Sequence, residues 1–197
     1  MPKSNYILVT NARAKFVYVF APNNHDKYSI QVLLDKNDPQ VAKLQRKVKE
    51  IMTAAFPNAA KEPKSPIHDG DVDRDTTAYP EYTNTVFLEP SSKFQPQVID
   101  RNGAPLAPAS GLLKNGAIVN VAINFYDYNA SGNKGVGVGL GKVQYWEAGE
   151  PMTQGVNSVV FPTISSTAND TASEATAQEA QNEEASFNEL LDECEDL

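Results

Sequence analysis

Cysteine is almost absent from this chain. Cys194 is the only one, so no intrachain disulfide can form. It lies inside an acidic stretch, where neighbouring carboxylates disfavour a reactive thiolate. Histidine is nearly as scarce. His25 sits in an Asn-Asn-His-Asp turn and His68 in a proline-rich loop, which argues against a Ser-His-Asp arrangement. No apolar run approaches membrane-spanning length, and the N-terminus carries no charged-then-apolar leader. A soluble intracellular protein with no membrane partner is therefore expected. Basic residues are missing from the whole C-terminal part: the last one is Lys142.

What is present is divided unevenly. The net charge is -8, but Ala168 to Leu197 holds ten acidic residues and no basic ones. Positions 1–167 keep 17 basic and 15 acidic residues, a net of about +2. A mildly basic body thus carries a polyanionic extension, and blocks of like charge are usually disordered interaction tails. From about Ser165 the Ser, Thr, Ala and Glu content cannot bury enough apolar surface to offset chain entropy. The reading is a domain over residues 1–160 and a disordered acidic tail over 161–197.

The run GNKGVGVGLGK, Gly132 to Lys142, looks like a phosphate loop and fails as one. A P-loop ending at Gly141-Lys142 would need glycine at Val136 and a hydroxyl at Val143. The dinucleotide fingerprint puts its third glycine on Leu140, Lys142 or Gln144, depending on its start. The period is instead two. Gly135, Gly137, Gly139 and Gly141 share one parity, and Val136, Val138 and Leu140 the other. That is a strand with an apolar face and a bare face. A bare face permits sharp barrel curvature or the close approach of a backbone or flat ligand.

Asn5 to Val9, Ala12 to Phe20 and Tyr28 to Leu34 read as three strands. In the second, Ala14, Phe16, Tyr18 and Phe20 share a face. A helix follows, with Asp38 as cap, Pro39 at its first position and a stripe of Val41, Leu44, Val48, Ile51, Met52 and Ala55. Lys43, Arg46, Lys47 and Lys49 lie off that stripe, as a solvated face or a contact for a nucleic-acid backbone. Pro57 to Pro96 is irregular, with a short strand at Asn84 to Glu89. Ala117 to Asn129 and Lys134 to Trp146 form a hairpin. In its first strand Asn120, Asn124, Tyr126 and Tyr128 face away from Val119, Val121, Ile123 and Phe125. The fold class expected is mainly β: an OB-fold-like five-stranded antiparallel barrel with one helix after the third strand.

Two constellations compete for function. The aspartates Asp69, Asp71, Asp73 and Asp75 resemble metal ligands. As a calcium loop from Asp71, the segment has Thr76 and Tyr82 where glycine and glutamate belong; from Asp69, it has Arg74 and Pro80. A magnesium-dependent nuclease could still use them, whereas a polar loop needs no metal. The other constellation is aromatic. Phe16, Tyr18, Tyr126 and Tyr128 lie near Arg13, Lys15 and Lys134, a combination that suits stacking of unpaired bases. A third reading makes the acidic segment the active part, a decoy for basic DNA-binding proteins.

Asn115-Gly116, IVNVAINFYDYN and the block GNKGVGVGLGKVQYWEAGEPM together resemble a family of bacteriophage single-stranded DNA-binding proteins. HDGD at His68 to Asp71 and PQVID at Pro96 to Asp100 are similar to further elements of that family. The resemblance spans roughly residues 5–155. It implies an OB-fold, sequence-independent binding of single-stranded DNA, no catalysis and no cofactor. It implies a role in phage DNA replication, recombination and repair in the cytoplasm of the infected cell. The DNA-binding set expected is Arg13, Lys15, Phe16, Tyr18, Lys93, Arg101, Tyr126, Tyr128, Lys134 and Lys142. The acidic tail would recruit phage polymerase or helicase-primase and compete with DNA. Its anchors would be Phe187, Leu190 and Leu191, with charge from Asp192, Glu193, Glu195 and Asp196. Ala117 stands where the family pattern leads one to expect cysteine or a bulkier residue, and the chain ends in Leu197 rather than an aromatic. An open strand edge would allow a homodimer.

Overall fold

The computed structural model describes residues 5–58, 61–130 and 133–152. The acidic tail, its boundary near residue 160 and its anchors lie outside the described residues. Within them the strands are β1 (Ile7–Tyr18), β2 (Tyr28–Asp35), β3 (His68–Asp69), β4 (Thr85–Leu88), β5 (Ser91–Ser92), β6 (Val98–Ile99), β7 (Ile118–Ala130) and β8 (Asn133–Glu147). The long helix α1 is Pro39–Ala55.

The strands close a ring. β1 pairs with β2 and β7, β7 with β8, β8 with β5, and β5 with β2. β4 and β5 are one track beside β2, interrupted at Glu89-Pro90, where proline offers no N–H to the ladder. Five tracks thus enclose the barrel, as expected, with β3 added outside β4 and β6 continuing along the edge of β8 that β5 begins. The ring is antiparallel except at its seam, where Ser91 of β5 lies parallel to Gly139 of β8. Alternation fills the interior: Val119, Val121 and Ile123 of β7 join Val138, Leu140 and Val143 of β8 in one buried cluster.

The helix follows the second strand, not the third. The two segments expected as separate strands, Asn5 to Val9 and Ala12 to Phe20, fall on one strand, β1, which runs from Ile7 to Tyr18 and whose pairing with β7 slips between Val9 and Ala12. Asn11 sits there at φ 54°, a left-handed residue that asparagine tolerates, and Val9 and Ala12 both point inward. A second slip, between Lys15 and Tyr18, contains Phe16 at φ 49°. Inward-facing parity therefore passes from Ala14 to Val17 and Val19, and Phe16 turns outward. Ala14 and Phe16 do not share a face.

Helix α1 begins as its sequence dictates. The Asp38 carboxylate accepts the Gln40 N–H at 2.8 Å, and Pro39 opens the first turn. Val41, Leu44 and Val48 are buried. The Gln40 side chain accepts the Thr10 N–H at 2.9 Å and donates to the Thr10 carbonyl at 3.0 Å, fixing the helix to β1. Lys43, Arg46, Lys47 and Lys49 are all exposed.

Candidate nucleic-acid interface

The alternating glycines of β8 lie outside the barrel, beneath rings. A Cβ at Gly137 would stand 2.5 Å from Cζ of Tyr126, its cross-strand partner on β7. One at Gly135 would stand 2.8 Å from the Tyr128 hydroxyl oxygen and 2.7 Å from the Lys64 carbonyl. At Gly139 it would meet the Asn124 side chain, and at Gly141 the Tyr6 ring. The bare face therefore seats side chains of β7 and the N-terminal segment directly on the β8 backbone. Tyr126 still keeps 47% of its surface exposed, so its ring rests on glycine and remains open to solvent.

Cross-strand partners project to the same side of a sheet. Tyr18 pairs with Ser29, Ser29 with Ser91, Ser91 with Gly139, and Gly139 with Asn124. These five residues form one row across all five tracks on the outer surface. Its centre, Ser29, Ser91 and Gly139, is a floor of small side chains. At one end stand Phe16 and Tyr18, 38% and 42% exposed; at the other stands Asn124, with Tyr126 and Tyr128 two and four residues further along β7 over Gly137 and Gly135. A groove with a low floor and one aromatic end results, and Lys134 is exposed beyond Tyr128. Where Ser92 and Gly141 meet, the surface continues into a second cleft of about 450 Å³ lined by Tyr6, Phe94 and Lys142. Phe94 is 82% exposed.

Lys15 does not reach this surface. It is 1% exposed and ion-paired with Glu81, whose side chain is itself buried. Its ammonium lies 4.5 Å from the Tyr82 ring centroid, 4.9 Å from that of Tyr79 and 5.1 Å from that of Phe16. Lys15 is thus the foundation beneath Phe16 rather than a ligand for phosphate. Next to the bulge that turns Phe16 outward, the Lys15 ammonium is set among the three rings. Beside it the Tyr82 hydroxyl donates to Gln31 Oε1, and burial pushes the Tyr82 pKa up.

The other expected residues are scattered more widely. Arg13 is half-buried on β1, and Lys93 is exposed next to Phe94. Arg101 packs against Trp146, 4.6 Å from the ring, at the far end of β8. Seven residues separate Trp146 from Gly139, about 23 Å of strand. The outer surface thus carries Phe16 and Tyr18 at one end of the row and Tyr126, Tyr128 and Lys134 along the β7–β8 hairpin past the other; Lys142 lines the second cleft, Lys93 adjoins it through Phe94, and Arg101 stands apart. Residues not singled out from the sequence are Tyr6, Ser29, Gln31, Glu89, Ser91 and Phe94. Phe94 had a signal of its own, a lone aromatic beside lysine in a polar loop.

The aspartate cluster is occupied with structure. Lys36 Nζ lies 2.5 Å from Asp69 Oδ1 and 2.6 Å from Asp71 Oδ2. Those hydrogen bonds hold both carboxyls below their ordinary pKa and raise that of Lys36. Asp69 also caps the turn at Gly70–Asp73, accepting the Asp71 N–H, and Asp71 accepts the Asn84 N–H. Asp73 faces His68 Nδ1 at 3.1 Å, and Asp75 accepts the Thr77 N–H at 3.0 Å. Among the described residues no three such side chains are grouped to hold a metal ion. The nuclease reading gives way to a loop pinned by ion pairs.

A closed five-track β-barrel with one long helix and exposed aromatic rings on its outer surface defines a barrel of the oligonucleotide-binding class. Residues 5–171 match the family described as "Enterobacter phage Enc34, ssDNA-binding protein", and the chain belongs to that family. Its members bind DNA rather than catalyse a reaction. Among solved structures, the chain is similar to the single-stranded DNA-binding protein of bacteriophage Enc34. The TM-score is 0.67 at 22% identity, covering 78% of this chain and 87% of that one. The same protein in complex with single-stranded DNA gives 0.67 at 21% identity, over 77% and 91%. Gp2.5, a single-stranded DNA-binding protein encoded by bacteriophage T7, gives 0.56 at 16% identity, over 82% and 100%. These likenesses establish the fold. A curated relative, putative protein p50 of Acyrthosiphon pisum secondary endosymbiont phage 1, is 39% identical over 83 residues. That match spans 42% of this chain and 45% of the relative, under half its length. No helix among the described residues is long and apolar enough to cross a membrane.

Proposed function

We propose that this protein coats single-stranded DNA without regard to sequence, as a non-enzymatic component of phage replication, recombination and repair in the cytoplasm of the infected cell. The observation that carries the reading is the row Tyr18, Ser29, Ser91, Gly139 and Asn124: a floor of small residues with the Phe16–Tyr18 pair at its β1 end and the Tyr126–Tyr128 pair further along β7, in a chain of this family. Unpaired bases stack on Phe16, Tyr18, Tyr126 and Tyr128, each worth about 1–3 kcal/mol and indifferent to base identity to first order. A duplex keeps its base faces covered and cannot use these rings. Arg13, Lys93, Lys134 and Lys142 supply cations for the phosphates, and Lys15 supports Phe16 from below. With a body of net charge about +2, few phosphates are neutralised, so stacking carries much of the affinity.

The acidic residues from 168 onward compete with DNA for cationic side chains and recruit phage polymerase or helicase-primase, with Phe187, Leu190 and Leu191 as apolar anchors. Self-association as a homodimer belongs to the same reading and is read by sedimentation. The decisive experiment is a salt titration of binding to single strands and to duplex of equal length, for the full chain and for a chain ending at residue 167. Single strands should bind more tightly, with log affinity falling by about 0.7 per neutralised phosphate for each unit of log salt, and truncation should tighten binding. Equal affinity for single strands and duplex would defeat the proposal.

A further inference from the structure

Beside Phe16 and Tyr18 opens a cleft of about 360 Å³ whose other walls include His25, Lys27, Gln31 and Glu89. That volume lies near the lower end of the range of roughly 300–1,000 Å³ for small-ligand sites, the scale of one nucleotide. Its rings accept any base. Its polar wall is more selective. Gln31 is 2% exposed and fixed at both ends: its Oε1 accepts the Tyr82 hydroxyl, and its Nε2 donates to Glu89 Oε1 at 2.7 Å. Arg74 Nη2 donates to the same Glu89 oxygen at 3.2 Å. Both donors fall on Oε1, so Oε2 has no hydrogen-bond partner among the described residues. The Glu89 side chain is 52% exposed, at the wall of the cleft.

We infer that Glu89 reads the amino edge of one base in this cleft, so that the slot takes cytosine in preference to thymine. The inference rests on the DNA-binding reading above and adds a base preference at one position of an otherwise indifferent groove. A carboxylate can only accept hydrogen bonds. Cytosine offers its N4 amino group, and adenine its N6 amino group. Thymine offers one N–H between two carbonyls, and those carbonyls turn their lone pairs toward the carboxylate. Gln31 and Arg74 set the orientation by anchoring Oε1, which leaves Oε2 as the reading atom. Lys27, on the same cleft, is placed to balance the negative charge of the passing phosphate.

The test uses the full chain and labelled oligodeoxycytidine and oligodeoxythymidine of equal length, followed by fluorescence anisotropy at matched salt. Glu89→Gln keeps an oxygen for Gln31 and Arg74 and adds an amide that can donate to thymine O4. Removing a negative charge tightens both oligomers, so the readout is the ratio of the two affinities. Glu89→Gln should move that ratio toward thymidine by about tenfold, the scale of one charge-assisted hydrogen bond. Glu89→Ala removes the acceptor without adding a donor and should move it the same way by less. If all three proteins bind both oligomers with the same ratio, Glu89 does not read a base and the inference is overturned, with the DNA-binding reading intact. If the wild-type chain binds neither oligomer, that reading falls and this inference with it.

Discussion

Gly137→Ala separates two uses of the ring-on-glycine arrangement, binding and folding. The added methyl would stand 2.5 Å from Cζ, 2.7 Å from Cε2 and 2.8 Å from the hydroxyl oxygen of Tyr126. Carbon atoms settle at roughly 3.5–4.0 Å, so the ring must retreat by about 1 Å. The three nearest atoms all belong to that one exposed side chain, which can swing outward. The backbone itself accepts alanine, and losing a glycine from the unfolded chain stabilises by about 0.4–1 kcal/mol. Thermal stability should therefore hold within about 0.5 kcal/mol. Affinity for single-stranded DNA should fall roughly 5- to 150-fold, the loss of one stacked base at about 1–3 kcal/mol. Tyr126→Ala should lose a similar amount, and the double variant no more than Tyr126→Ala alone, because both changes remove the same platform. Gly135→Ala is the contrast. Its methyl would stand 2.7 Å from the Lys64 carbonyl, which accepts the Val136 N–H at 3.0 Å, so it should cost stability as well. Anisotropy titrations with thermal melts read both quantities. Wild-type affinity in Gly137→Ala, alongside weakened binding in Tyr126→Ala, would refute the account.

The remaining predictions concern the groove floor and its supports. Ser91→Tyr should fill the floor and weaken single-strand binding by about tenfold or more while leaving the melting temperature nearly unchanged; unaltered titration curves would place the DNA elsewhere. Glu81→Ala strands the Lys15 ammonium in the interior and should cost about 3–5 kcal/mol in urea unfolding, whereas Lys15→Met with Glu81→Leu should recover most of it. A loss under about 1 kcal/mol for Glu81→Ala would show that water reaches Lys15. Acid stability should depend on Lys36. The Asp69 and Asp71 carboxyls have folded pKa values held below the ordinary 3.8, so their contribution is present above about pH 4. It drains away as pH falls through the depressed values, and Lys36→Met should flatten that limb of a urea-midpoint profile. Coincident profiles would show that these exposed pairs contribute nothing.

Much of the barrel was legible because its long strands obey a period of two. The parity of Gly135 to Gly141 against Val136 to Leu140, and of Tyr126 and Tyr128 against Val121 and Ile123, carries directly into the structure. The start of α1 was legible because Asp38 and Pro39 act locally. The failures have local causes too. Asn11 and Phe16 are left-handed inside β1, and each reverses the inside-outside sequence that a simple alternation assumes. Lys15 keeps the outward parity, opposite Ala14, and is buried instead by Tyr79, Glu81 and Tyr82, which cover it from a distant part of the chain. β5 and β6 have two residues each, too few to show a period, yet β5 supplies the centre of the floor. Glu81, Gln31 and Glu89 come together only through tertiary contacts at sequence separations of 51 to 66 residues, beyond the reach of any spacing rule.

The seam of the barrel has a kinetic consequence. β5 meets β8 through one residue pair and β2 through two, while β7 and β8 are paired along nearly their whole length. Amide protons in the β7–β8 hairpin should exchange with solvent only when the whole body unfolds, whereas those around Ser91 should exchange through small local openings of low free energy. The middle of the groove is then also its most yielding point, a hinge at which the floor can part slightly without dismantling the walls.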